Sequence, residues 1–237
     1  MRDQQYVYDY PRPAVTTDCV IFGYDVKEGL SVLLVERGGE PYKGCHAFPG
    51  GFMNMDENAE TGALRELMEE TGLEVDSIEQ IGCFSDVDRD PRDRVVTVAF
   101  WSLVKKTEVK CGDDAASAEW YPLSDVPRLA FDHEMILKVA LRRLKEKIYY
   151  EPIGLELLPE VFTLPQLKHL YESILGVHID RRNFAKKMIR LGILTEAGQR
   201  SENNGQRLQK MYSFKNERYN EMKANGFFLA FLGNRCT

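Results

Sequence analysis

The spacing of residues 51–73 constrains this chain more than any other feature. It reads Gly51, five residues, Glu57, seven residues, Arg65-Glu66-Leu67, one residue, Glu69-Glu70, one residue, Gly72-Leu73. Residues 60–71 have a helical pattern, and Gly72 stands where a helix closes. Successive helical residues turn by about 100°, so Glu66 and Glu70 lie about 40° apart, with Glu69 close by. Carboxylates on one stripe repel each other unless a cation sits among them. Hard oxygen ligands of this kind suit Mg²⁺ or Mn²⁺. Arg65, one turn before Glu69, is placed to hold a carboxylate. Gly50-Gly51 is expected to turn the chain into the helix and to bring backbone close to a ligand. A diphosphate needs such an arrangement: divalent metal neutralises its oxygens, orients the leaving group and activates a bound water.

The flanking pattern predicts an α/β domain. Residues 15–23 and 30–37 are β-rich runs parted by a turn containing Gly29. Strand-like stretches return at 78–84, 95–104 and 119–123. Met135, Ile136, Val139, Ala140 and Leu144 recur at helical spacing, which predicts a helix over about 134–147. A mixed sheet with helices on its faces is the packing this order implies. Glu151-Pro152-Ile153-Gly154 reads as a linker dividing the chain into residues 1–150 and 151–237. Beyond it, Thr163 begins a capping box with Gln166, and Pro165 falls in the first helical turn. That helix ends near Gly176; Asp180 is placed to cap a second, which ends at Gly192. A polar stretch, 198–205, then separates residues 191–194 from 211–214. Two short helices followed by a hairpin outline a winged helix.

Charge divides along the same line. The net charge of −6 sums −10 over residues 1–150 (18 basic, 28 acidic) and +4 over residues 151–237 (13 basic, 9 acidic). The acidic front suits a metal site and the basic rear permits nucleic-acid contact. Cys19, Cys45, Cys83, Cys111 and Cys236 include no CxxC pair, which excludes a zinc or redox motif and suits a reducing, cytoplasmic setting. The first twelve residues are polar and aromatic, so no signal peptide is expected. No apolar run nears the roughly 20 residues of a membrane span, the tail at 226–232 included, so no membrane partner is expected.

The motif at 51–73 is identified as the Nudix signature with every defining position filled. Tyr10-Pro11-Arg12-Pro13-Ala14-Val15, Phe48-Pro49-Gly50-Gly51-Phe52, Asp88-Arg89-Asp90-Pro91-Arg92 and Ala130-Phe131-Asp132-His133 resemble a bacterial branch of ADP-ribose pyrophosphatases that includes Nudix-related transcription regulators. The resemblance implies a Nudix α/β/α sandwich with a mixed sheet, followed by a smaller winged helix-turn-helix domain. It makes Glu66 and Glu70 the main Mg²⁺ or Mn²⁺ ligands with Glu69 assisting, and adds Glu57 and Arg65 as supporting catalytic groups. ADP-ribose would give AMP and ribose 5-phosphate. Glu119, Asp113 and Asp114 are candidates for the general base, and Arg37, Gly50, Gly51 and Pro91 for substrate contacts. His46 stands where the family often has tryptophan, so the adenine-side pocket is expected to differ.

The rear segment resembles the winged helix of those regulators through Phe162-Thr163-Leu164, Leu170-Tyr171-Glu172 and Asp180-Arg181-Arg182-Asn183-Phe184. Arg182, Lys186, Lys187 and Arg190 on its second helix are the candidates for contact with double-stranded DNA. The wing departs from the regulators' Gly-Arg-Pro-Ala-type run, reading Gly205-Gln206-Arg207-Leu208-Gln209-Lys210. Two functions therefore stay open. One is a Mg²⁺-dependent hydrolase of ADP-ribose or a related nucleoside diphosphate sugar. The other is a regulator that senses a sugar or nucleotide and binds DNA; a protein doing both fits as well. The family is often dimeric, and the segment 6–10 is a candidate arm between two subunits.

Overall fold

The computed structural model describes residues 8–110, 115–202 and 207–226. In chain order they begin with β1 (Ala14–Asp25), β2 (Gly29–Arg37), β3 (His46–Ala47), β4 (Gly50–Phe52), α1 (Ala59–Thr71), β5 (Glu79–Phe84), β6 (Val95–Lys105), β7 (Ala115–Pro122) and α2 (His133–Tyr150). There follow β8 (Phe162–Thr163), α3 (Leu164–Leu175), α4 (Arg181–Leu191), β9 (Leu194–Glu202), β10 (Arg207–Phe214) and α5 (Asn216–Asn225).

β1 is the axis of the larger sheet. It runs parallel to β6 from Ala14 opposite Val95 to Tyr24 opposite Lys105. Its start also pairs with β4, Asp18 opposite Gly50 and Thr17 opposite Gly51, and its end with β2 from Phe22 opposite Val32. β7 lies antiparallel to β2, and β5 antiparallel to β6. Side chains alternate along a strand, so β1 serves two cores. Cys19 and Ile21 join Leu33, Ala63, Leu67 and Phe100 beneath α1. Val20, Phe22 and Tyr24 join Val32, Leu34 and Trp101 beneath Ile136, Ala140 and Leu144 of α2. This is the expected α/β/α sandwich. Apolar cover on both faces explains why residues 17–24 read as a nearly unbroken buried run.

The smaller sheet has the order β8-β10-β9, with a bulge between Met211 and Tyr212. Its helices start and stop where the sequence says. Thr163 and Gln166 close a reciprocal capping box on α3, Asp180 accepts from Asn183 N–H at the start of α4, and Gly176 and Gly192 end the two helices in the left-handed conformation. The two sheets share one apolar core: Leu167, Leu170, Tyr171, Ile174 and Phe184 belong to the same cluster as Phe22 and Leu34. α3 lies against β2, where a Cβ on Gly29 would come within 3.4 Å of Ser173 Oγ.

Gly50-Gly51 does not turn the chain into α1. Both residues lie in β4, and neither has a positive φ. Their need for glycine is steric, as the site shows. β3, β4 and β8 are too short to show a period of two. α5 buries only Tyr219 and Met222, too sparse an apolar stripe to read as a helix. α2 runs to Tyr150, three residues beyond the expected end. The apolar tail at 227–232 and the wing residues Gly205 and Gln206 lie outside the described residues. No helix among the described residues is long and apolar enough to cross a membrane.

Leu170, fully buried in the shared cluster, is the position at which the continuity of that core is testable. Leu170→Ala is expected to cost about 2–5 kcal/mol. Urea unfolding followed by Trp fluorescence and by far-UV circular dichroism should move both signals together. Two separated transitions, with only one moved, would mean that the core is not shared.

Candidate functional site

α1 carries the acidic motif, and its frame is local. Asn58 Oδ1 accepts from Thr61 N–H at 2.9 Å, and Gly72 ends the helix in the left-handed conformation. Arg65 is the hub. Its Nη2 and Nε donate to Glu57 at 2.7 and 3.0 Å, and its Nη1 donates to Glu66 at 2.8 Å and Glu69 at 3.0 Å. Nη2 also donates to Phe52 O at 3.2 Å, which ties α1 to β4. The Arg65 bonds hold Glu57 at a pKa of about 2 and raise that of Arg65 itself.

Glu66 and Glu70 hang over β4. A Cβ on Gly51 would sit 2.4 Å from Glu66 Oε1, and one on Gly50 would sit 2.1 Å from Thr17 O. Glycine at both positions lets the carboxylates and β1 close on the strand. Gly50 N–H donates to Glu70 Oε2 at 2.9 Å. Burial, then the negative charges of Glu66 and Asp18, push Glu70 up to about 7 against that hydrogen bond. Among the described residues no three Asp, Glu, His or Cys side chains converge on one point. Mg²⁺ keeps several waters and takes one or two carboxylates. Glu66 and Glu70, two hard-oxygen groups crowding each other's charge over a strand stripped of side chains, fit an ion of that kind.

The cleft continues away from α1 between Arg37, Phe48, Phe52, Arg92, Phe131 and His133. The Arg37 guanidinium lies 4.8 Å from the centre of the Phe131 ring, and Arg92 stands over Phe52 at 5.3 Å and Phe131 at 5.6 Å. Asp90 grips Arg92 with bonds of 2.7 and 3.0 Å, and Arg37 Nε donates to Pro41 O at 2.9 Å. Burial and then the charge of Arg92 draw Arg37 below the usual arginine value. Beneath them is a buried polar layer. Arg89 makes a two-pronged pair with Asp132 at 2.7 and 3.0 Å, and Thr97 Oγ1 donates to Asp18 Oδ2 at 2.6 Å. His133 accepts from Phe48 N–H through Nδ1 at 3.0 Å and stacks on the Phe48 ring. Burial pulls its pKa down, so the ring is neutral.

The structure therefore brings together Arg37, Gly50, Gly51, Glu57, Arg65, Glu66, Glu69 and Glu70. It does not bring in two others. Pro91 is exposed and does not line the cleft, which takes its neighbours Arg89, Asp90 and Arg92 instead. Glu119 is exposed on β7, opposite Leu34, beside Tyr121. Asp113 and Asp114 lie outside the described residues. His46 is in β3, where its Nε2 meets Tyr121 OH at 2.8 Å. Asp18, Arg89, Arg92, Phe131 and His133 were not singled out as site residues. Four of them stand in the segments 88–92 and 130–133 that carry the resemblance; Asp18 lies in a buried strand and gives no local signal.

The second helix of the small domain presents a separate surface. Phe184 and Met188 face the core. Arg182, Lys186 and Arg190, four residues apart, form one exposed stripe, with Arg181 beside it. None of these four has an ion pair among the described residues, and α4 carries no acidic side chain. Lys187 differs: it is half-buried and already engaged in an interaction. The Arg207 side chain lies outside the described residues, while Lys210 is paired with Glu196 at 2.5 Å.

Residues 12–144 match the NUDIX domain and residues 154–214 match the NrtR DNA-binding winged helix domain. The chain is 36% identical over 211 residues to the ADPR responsive transcriptional repressor NtrR of Acinetobacter baylyi, covering 87% of this chain and 84% of that protein. It is 42% identical over 133 residues to an ADP-ribose pyrophosphatase of Methanocaldococcus jannaschii, covering 56% of this chain and 76% of that one. The crystal structure of Shewanella oneidensis NrtR complexed with a 27mer DNA superposes with a TM-score of 0.72 at 32% identity, over 92% of this chain and 99% of that chain. With a Nudix cleft and an NrtR-type winged helix joined on one core, the chain belongs to the Nudix family, in the group that carries a DNA-binding winged helix domain.

Proposed function

We propose that this chain is a transcription regulator whose winged helix, in residues 151–237, binds double-stranded DNA and whose Nudix domain, in residues 1–150, takes ADP-ribose or a related nucleoside diphosphate sugar as effector. The exposed stripe of Arg182, Lys186 and Arg190 on α4, with no ion pair among the described residues, carries this reading. Cations so placed neutralise backbone phosphates, and Lys187 supports them from the flank. The names of the two curated relatives point to ADP-ribose. The cleft suits it chemically. Its carboxylate end takes a cation-bridged diphosphate, and Arg92, Phe52 and Phe131 offer guanidinium and phenyl faces to base and ribose. Helix-turn-helix proteins read half-sites as dimers, so the working unit is a homodimer acting in the cytoplasm. Of the segment 6–10, Tyr10 is fully available at 80% exposure, while Tyr6 and Val7 lie outside the described residues.

The filled motif on α1 favours a second activity at the same cleft, hydrolysis. Glu66 and Glu70, with Glu69 assisting, would hold Mg²⁺ or Mn²⁺. When bound, the ion neutralises the diphosphate and makes a water a stronger nucleophile. Arg65 keeps Glu57, Glu66 and Glu69 in place, and Arg37 holds the phosphate oxygens. Glu69, the most exposed of the carboxylates on Arg65, takes the proton from the attacking water. The water oxygen bonds to one phosphorus as the bridging P–O bond breaks, leaving AMP and ribose 5-phosphate.

DNA binding is tested by fluorescence anisotropy on duplexes selected from a randomised pool, over a salt series. Log affinity should fall linearly with log salt, and Arg182→Ala or Lys186→Ala should each reduce the slope by about 1. Failure of the wild type to select any duplex would overturn the regulatory reading. Hydrolysis is tested by incubation with ADP-ribose and Mg²⁺: AMP should appear, and Glu70→Gln should lose most turnover while its far-UV circular dichroism shows the fold intact. Turnover retained in Glu70→Gln would remove Glu70 from the ligand set.

Glu70 sets the pH dependence. Its folded pKa of about 7 stands above the ordinary glutamate value of 4.5. In the metal-free protein its contribution to stability is present below about pH 4.5 and is lost as the pH rises through 7. A bound cation must displace the proton below pH 7. Apparent Mg²⁺ affinity by calorimetry should therefore weaken as pH falls from 8 to 6, with proton release on binding. A flat profile would contradict this assignment.

A further inference from the structure

Among the described residues, two that are not glycine have a positive φ: Tyr42 at 63° and Phe131 at 53°. Bulky side chains rarely adopt this conformation, and where they do the surroundings hold them in it. The two residues are far apart in sequence, yet their rings meet, with centroids 4.8 Å apart and planes at 65°. Both backbones are pinned by bonds that involve neither ring. Cys45 N–H donates to Tyr42 O at 3.0 Å, and Arg37 Nε donates to Pro41 O just before it. On one side of Phe131, Ala130 N–H donates to His46 O at 2.8 Å; on the other, Arg89 grips Asp132. The fold thus keeps two costly backbone positions and displays an aromatic ring from each.

Arg37 joins this pair to the carboxylate end of the cleft. It lines one pocket with Gly50 and Glu70, and its guanidinium lies 4.8 Å from the centre of the Phe131 ring. Phe131 is attended by Arg37 and Arg92. Tyr42 has no cation over it among the described residues, and 38% of it is exposed. Its ring is therefore open aromatic surface beside a cleft suited to a diphosphate. Two rings at 65° make a corner, in which a third flat ring stacks on one and meets the other edge-on, the two geometries that aromatic pairs favour.

Resting on the nucleoside diphosphate reading above, we infer that Tyr42 is a specificity-determining residue, whose ring stacks on the nucleobase with Phe131 closing the corner. Holding the rings in place before the ligand arrives lowers the ordering cost of binding. Every base has a π face, so Tyr42 selects for the presence of a base and not for one particular base. A sugar or phosphate ester without a base forgoes this contact.

The test is calorimetry with Mg²⁺ and two ligands that resist hydrolysis: ADP-ribose with a methylene bridge between its phosphorus atoms, and methylenediphosphonate, which has no base. Tyr42→Ala should weaken the ADP-ribose analogue roughly 5- to 150-fold and leave methylenediphosphonate unchanged. Tyr42→Phe, which keeps the stacking face, should bind both as the wild type does. Tyr42→Gly should lose as much affinity for the analogue as Tyr42→Ala but melt at a higher temperature, because glycine takes this backbone conformation without strain. Equal weakening of both ligands in Tyr42→Ala would make the ring a mere support of the cleft, and no weakening of either would leave it without a role; each overturns this inference while the nucleotide reading stands. A wild type that does not bind the analogue overturns both.

Discussion

Everything around the cleft depends on how closely β4 approaches β1 on one side and α1 on the other. Gly50 and Gly51 have room for no side chain: Thr17 O and the Glu66 carboxylate occupy the places where Cβ atoms would be. The approach lets Gly50 N–H reach Glu70 and Arg65 reach Phe52 O. It also crowds negative charge, since Glu66, Glu70 and Asp18 end up within each other's fields. Arg65 answers part of that charge by holding Glu57, Glu66 and Glu69 at once. Glu70 is outside its grip, and there the cost of burial falls on the carboxyl. The site is thus built with an unmet electrostatic demand, which is the usual condition for binding a cation or a proton.

The other end of the cleft solves the opposite problem. Arg37 and Arg92 bring two positive charges together against phenyl rings, and Asp90 compensates only one of them directly. The Arg89–Asp132 pair beneath is buried and two-pronged, and it joins the loop before β6 to the N-terminus of α2. His133, neutral and stacked on Phe48, carries the same layer back to the short segment just before β4. Acid at one end, guanidinium and aromatic rings at the other, match a ligand with a diphosphate between a base and a sugar.

Much of this was legible in the sequence because it is local. The caps at Asp180 and Thr163 and the stops at Gly72, Gly176 and Gly192 act within one turn. The carboxylate spacing on α1 follows from helical geometry alone. What escaped depends on contacts distant in sequence. Gly50-Gly51 looks like a turn until Thr17 and Glu66 are seen filling the space beside it. Arg89 and Asp132 are 43 residues apart, and Asp18 reaches the cleft only because β1 runs between β4 and β6. On α4, helical spacing identifies Arg182, Lys186 and Arg190, but only packing separates them from Lys187.

The core that runs from Phe22 and Leu34 into Leu170 and Phe184 has a bearing on how such a chain can change through time. A tail joined by a flexible tether can be lost or exchanged with little harm to its neighbour. Here α3 lies on β2, so deleting the rear segment would strip apolar cover from a sheet face that holds Tyr24 and Leu34. A lineage that discarded the winged helix would need polar replacements on that face first. The two halves are inherited as one object.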